Sequence, residues 1–178
     1  MKHNTILIIG LAVLILLVGA AAYWPVINFS FFWEDPFDIG QVEGHTFPQL
    51  FLVSNSNSYY RPLALVILKL LKGGGPSYSP LPYHAFNVGS HLCAALLLFG
   101  AARYWFHSTG AAFSAAILFV LYPPGFEASA RASSIYSLYV CLTIGALWLY
   151  AVGRERERRG LVALALLLSS IALLLHEN

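Results

Sequence analysis

The chain has 178 residues, 58% of them apolar and 10% charged, with a mean hydropathy of +0.70 and a formal net charge of +2. Soluble domains carry about a quarter charged residues, so this composition excludes a disordered chain and a water-soluble enzyme. With no basic face it also excludes a nucleic-acid binder. What remains is an all-α, polytopic membrane protein.

Thr5 to Trp24 has no charged side chain and makes about 30 Å of helix, the thickness of a bilayer core. Its flanks, Lys2-His3 and Ala20-Ala21-Ala22, also suit a cleavable signal peptide. Because the sequence retains the segment, it reads as a first transmembrane helix, occupying residues 1–24. Residues 25–81 then form an outer loop. Within it, Phe29–Trp33 and Phe47–Val53 are aromatic enough to lie at the interface. Pro62–Lys72 is apolar but too short to span, so it is expected as an interfacial or re-entrant helix.

Residues 82–178 read as a four-helix membrane bundle. Its spans are expected at 82–105, Gly110–Tyr122, Ala128–Gly153 and Gly160–Leu175, with Pro123-Pro124-Gly125 stopping the second of these. With the first helix this gives about five crossings. Lys2, Arg103 and the loop Arg154–Arg159 then share one side, which the basic-residue bias makes cytoplasmic. Six of the eight acids (Glu34, Asp35, Asp38, Glu43, Glu127 and Glu177) fall on the other side. The expected location is therefore the cytoplasmic membrane, with residues 25–81 outside. Cys93 and Cys141 sit in apolar runs with no metal or disulfide spacing.

Polar residues inside or at the rim of a membrane are costly, and each is a functional hypothesis. Glu34 and Asp35 are adjacent carboxylates suited to accept a proton, or simply a solvated acidic turn before Pro36. Tyr60 and Arg61 place a guanidinium at the interface, either for an oxyanion or as a snorkelling anchor. His84, Asn87 and His91 share one helix face and line a cavity or bond a neighbouring helix. Glu127 and Arg131 are spaced for a local ion pair, and His176-Glu177-Asn178 is a polar cluster at the end of the last span. The two histidines lie too far apart to hold a metal by themselves, so a divalent ion is not indicated and no cofactor is identified.

In this order, the acidic pair, Tyr60-Arg61-Pro62-Leu63, His84-x-x-Asn87-x-x-x-His91, Pro124-x-x-Glu127-x-x-x-Arg131 and His176-Glu177-Asn178 resemble the N-terminal membrane half of the C-type (GT-C) glycosyltransferases. The likeness is to the protein O-mannosyltransferase-like members in particular. The resemblance implies inverting transfer of a sugar from a polyprenyl-phosphate monosaccharide to an acceptor at the outer face. It implies Asp35, with Glu34 beside it, as the base, and Arg61 and Arg131 near the donor phosphate. Tyr60, His84, Asn87, His91, Glu127, His176 and Glu177 would line the cavity. The family carries more spans than five, so the chain is expected to be a truncated portion completed by further membrane helices, from the same polypeptide or a partner. Ala111–Ala116 and the Ser133–Ser137 face are the small-residue surfaces for that contact. The alternative is a non-catalytic relative serving as a structural subunit of a larger complex. A transporter is disfavoured, since no inverted repeat is visible.

The topology predicts that single cysteines at Ser56 and Gly153, in a background lacking Cys93 and Cys141, label from opposite sides with a membrane-impermeant maleimide. Labelling of both from one side overturns it.

Overall fold

The computed structural model describes residues 2–53, 60–73 and 79–176. Eight α-helices are present among these: α1 Lys2–Tyr23, α2 Asp35–Gly40, α3 Pro62–Lys72, α4 Leu81–Phe106, α5 Thr109–Leu121, α6 Pro123–Ala130, α7 Tyr136–Glu155 and α8 Arg159–Leu175. Short 3-10 turns follow α1 at Trp24–Asn28 and precede α3 at Gln49–Phe51. No strand occurs among the described residues.

The turns explain the hairpins. α4 closes on His107, whose φ of 51° puts it in the left-handed region, and its N–H donates to Arg103 O at 3.1 Å. Ser108 then opens α5 as its N-cap, the hydroxyl oxygen accepting from Ala111 N–H at 3.3 Å. α7 and α8 are joined through Glu157 (φ 53°), with Arg158 N–H donating to Gly153 O at 2.8 Å.

α5, α4, α7 and α8 stand in a row, and α1 packs on α4 and α5. One apolar cluster fills the α1–α4–α5 side around Ile15, Tyr23, Ala95, Phe99, Ala112 and Val120. A second joins the loop before α3, α3 itself and the ends of α4 and α8 around Val42, Leu50, Leu65, Tyr83 and Leu175. Ala112 and Ala116 are spent inside the first cluster, and Ser133, Ser134 and Ser137 are buried. These five pack within the chain, while Ala111 and Ser114 on the same stretch of α5 are exposed.

α4 and α7 run parallel in one register: Cys93 meets Cys141, Leu97 meets Gly145, and Gly100 meets Trp148. Consequently the C-terminal ends of α4 and α7, with Arg103 and the 154–159 loop, lie at one end of the bundle. Glu34, Arg61, residues 131–136 and His176 gather at the other.

One expectation is met in part and another changes. α1, α4 and α7 are long and apolar enough to cross a membrane, and α5 with α6 makes a fourth if that pair, bent by 50°, is one broken span; α8, at 17 residues, is shorter. Next, Pro123-Pro124 ends α5 but starts α6 at once, since proline is tolerated in a first helical turn. The helix expected from Ala128 begins only at Tyr136, because residues 131–135 form a non-helical linker that is buried from Ala132 to Ile135. Buried backbone of this kind must find partners for its polar groups within the protein.

A methyl group on Gly100 would meet the Trp148 ring at 2.5 Å, whereas one on Gly145 would meet Leu97 at an ordinary 3.5 Å. Gly100→Ala is therefore expected to cost about 1–3 kcal/mol and to lower the thermal unfolding temperature in detergent, with Gly145→Ala unchanged. Equal melting of the two variants would contradict this register.

Candidate functional site

The linker before α7 is built by side chains far away in sequence. Asn87, fully buried on α4, donates its amide to Arg131 O at 2.9 Å and Ala132 O at 3.3 Å. Asp35, also fully buried, accepts Ser133 N–H on Oδ1 at 2.8 Å and Phe32 N–H on Oδ2 at 3.2 Å. Asp35 N–H in turn donates to Phe32 O at 3.1 Å, closing a reciprocal turn around Trp33. Trp33 sits at φ 55°, a left-handed conformation that a bulky residue adopts only when its surroundings enforce it.

This turn fixes Glu34 beside the linker, where its carboxylate pairs with Arg131 at 2.5 Å. The Arg131 guanidinium also lies 5.6 Å from the Trp33 ring centroid. Arg131 thus pairs with Glu34 rather than with Glu127, its neighbour one turn back, to which only its backbone N–H is bonded.

A cleft of about 160 Å³ opens beside this ion pair. Glu34, Asp38, Arg61, Arg131, Tyr136 and His176 supply its polar lining, and Leu65, Leu68 and Leu175 part of its apolar wall. Arg61 immediately precedes α3 and reaches over the Tyr136 ring at 5.9 Å. His176, just past α8, lies 4.8 Å from the Tyr136 ring and 5.0 Å from that of Tyr139. Two guanidinium groups, two carboxylates and an imidazole therefore share one opening, a set suited to an oxyanion and to proton transfer beside it. A second cleft, of about 260 Å³, lies against the other side of Arg131, with Glu127 on its wall.

The remaining residues singled out from the sequence lie elsewhere. Tyr60 is exposed, its hydroxyl donating to Phe51 O at 3.0 Å, and ties the start of α3 to the preceding loop. His91 bonds Tyr23 through Nε2 at 3.0 Å and stacks on Phe119 at 4.7 Å. The Tyr23 hydroxyl donates to Val120 O at 2.9 Å, so His91 joins α1, α4 and α5 at a site where Gly125 leaves room for its ring. His84 is fully buried, with neither ring nitrogen partnered among the described residues, and faces Phe29 edge-on at 6.4 Å. Neither histidine lines the cleft, and Asn87 acts through the linker backbone. Asp35 lies behind the cleft wall with both oxygens engaged. Glu177 is outside the described residues. Among the described residues, no three His, Cys, Asp or Glu side chains stand together as metal ligands.

The sequence reading missed Tyr136, and it counted Asp38 among the acids of this side without making it a site residue. Asp38 carried a signal, one turn of α2 beyond Glu34, whereas nothing local marks Tyr136 as cleft-facing. Compared with protein families, with curated proteins and with solved structures, the chain has no significant match.

Because both Asp35 oxygens accept backbone N–H groups, Asp35→Asn turns an amide donor toward one of them. The expected cost is about 1–3 kcal/mol, read as a lower unfolding temperature in detergent. An unchanged temperature would show that the two bonds contribute nothing.

Proposed function

We propose that this protein is a GT-C-like glycosyltransferase, transferring a sugar from a polyprenyl-phosphate monosaccharide to a hydroxyl acceptor. The observation that carries the reading is the cleft in which Arg61 and Arg131 face Glu34 and Asp38 at one end of an apolar bundle. Its chemistry fits such a transfer. Glu34, the member of the acidic pair that opens onto the cleft, takes the acceptor proton. The acceptor oxygen bonds to the anomeric carbon from the face opposite the phosphate. The carbon–oxygen bond to the phosphate breaks, and the polyprenyl phosphate leaves with the electron pair, its charge met by Arg61 and Arg131. Asp35 is a positioning residue here, because it holds the turn that presents Glu34.

In this proposal all five apolar segments cross the cytoplasmic membrane, α8 at the short limit of spanning length. The cleft end faces outward and the Arg103 and 154–159 end faces the cytoplasm. Further membrane helices complete the wall around the cleft.

A second reading, a non-catalytic subunit of a larger membrane complex, is favoured by the way Glu34 and Arg131 satisfy each other directly. Reconstitution in nanodiscs with polyprenyl-phosphate sugars and a hydroxyl acceptor separates the two. The first predicts transfer that Glu34→Gln reduces roughly 100-fold or more, and that Arg61→Ala also reduces, with folding intact by thermal melting. Turnover unaffected by Glu34→Gln removes the proposed base, and no turnover with any such donor favours the subunit.

A further inference from the structure

We propose that the turn joining α7 to α8 is a binding surface for the headgroups of anionic phospholipids, with Arg154, Arg156, Arg158 and Arg159 as its cations. This surface lies at the opposite end of the bundle from the cleft and is independent of any reaction there. All six residues from Arg154 to Arg159 are exposed, four arginines against the two glutamates Glu155 and Glu157. Alternating charge in sequence suggests mutual neutralisation, but the fold does not deliver it. Among the described residues, neither the arginines nor these glutamates form an ion pair or a side-chain hydrogen bond. The backbone beneath them is fixed: Arg156 N–H donates to Val152 O at 3.0 Å, and Arg158 N–H to Gly153 O at 2.8 Å. Gly153 lets the two helices close there, since a Cβ on it would stand 3.0 Å from Leu161 and Val162. Four guanidinium groups are therefore held out from a closed hairpin with their donors free.

The turn also sits where the apolar surface of the bundle ends. Leu147 and Tyr150 are exposed on α7 just before it, and Leu164, Leu166 and Leu167 on α8 just after it. With those side chains in hydrocarbon, the arginines lie about 6–8 Å further along the helix axes, at the depth of lipid phosphates. A guanidinium fork pairs with phosphate oxygens at that depth. The placement has a cost inside the chain. Arg154 suits the negative end of the α7 dipole, but Arg158 and Arg159 stand at the positive end of α8, whose first turn holds no acid. Anions from outside the chain offset that cost. The apolar flanks select their source, because a phosphodiester carried on acyl chains meets guanidinium and leucine together, whereas free phosphate meets only the first.

The probes are phosphatidylglycerol, phosphatidylcholine and glycerol 3-phosphate, titrated onto the full chain in detergent and read by native mass spectrometry. Phosphatidylglycerol should be retained in preference to phosphatidylcholine, and glycerol 3-phosphate should not be retained. Each arginine near an anionic headgroup is worth roughly fivefold, so Arg158→Ala combined with Arg159→Ala should weaken phosphatidylglycerol roughly tenfold or more. Lysine at the same two positions keeps the charge and should keep most of the binding, which separates lost cations from misfolding. Glu155→Gln combined with Glu157→Gln should strengthen binding. Equal retention of the two lipids, or phosphatidylglycerol binding indifferent to both the alanine and the glutamine variants, overturns the surface. Glycerol 3-phosphate retained as well as the lipid overturns the lipid as its occupant.

Discussion

The carboxylate of Asp35 fastens together two stretches of backbone that belong to different parts of the molecule. One oxygen holds the turn at Phe32, and the other holds the linker at Ser133. A buried carboxylate is tolerable only when its lone pairs are met, and here backbone N–H groups meet them. Almost everything polar at this end of the bundle inherits its position from that tie. Glu34 is placed by the turn, Arg131 by the linker, and their ion pair forms because both supports are already in register. Asn87 adds a second fixing point from α4, so the linker is held on both its N–H and its C=O sides.

The longer helices were legible in advance, whereas α2 and α6 were not. Pro62–Lys72 has the limits read from its proline start and glycine end, and the runs behind α1, α4 and α8 sit within a few residues of the observed helices. These are properties of local sequence, where apolar content and breakers decide. The start of α7 was not legible, because Arg131–Ser134 is compatible with a helix by composition. It is drawn out of one by Asn87 and Asp35, forty to a hundred residues away. The same limit applies to the acidic pair. Glu34 and Asp35 are neighbours with similar chemistry, and only the fold turns one toward the cleft and the other into the wall. Spacing puts three polar residues on one face of α4, yet they do separate jobs: Asn87 holds a linker, His91 joins three helices, and His84 is enclosed beside Phe29.

Close approach between helices comes from the absence of side chains at a few positions. Gly19 leaves no room for a Cβ against Leu92, Gly100 lies under the Trp148 ring, and Gly125 accommodates His91. In a lipid environment, where no hydrophobic gradient pulls helices together, such contacts supply the packing. Gly100 also sets the parallel register of α4 and α7, on which the shape of the cleft end depends.

The tie between Asp35 and Ser133 spans 98 residues of chain, which gives it a history as well as a geometry. At a synthesis rate of ~5–20 residues per second, the acidic turn emerges about 5–20 seconds before its partner exists. During that interval the carboxylate that ends up enclosed lacks the Ser133 N–H that meets one of its oxygens. Its desolvation must therefore be among the last events of assembly, coupled to the arrival of the segment that joins α6 to α7. The cleft is then a late product of biogenesis, absent from every shorter nascent chain however well its first helices are inserted.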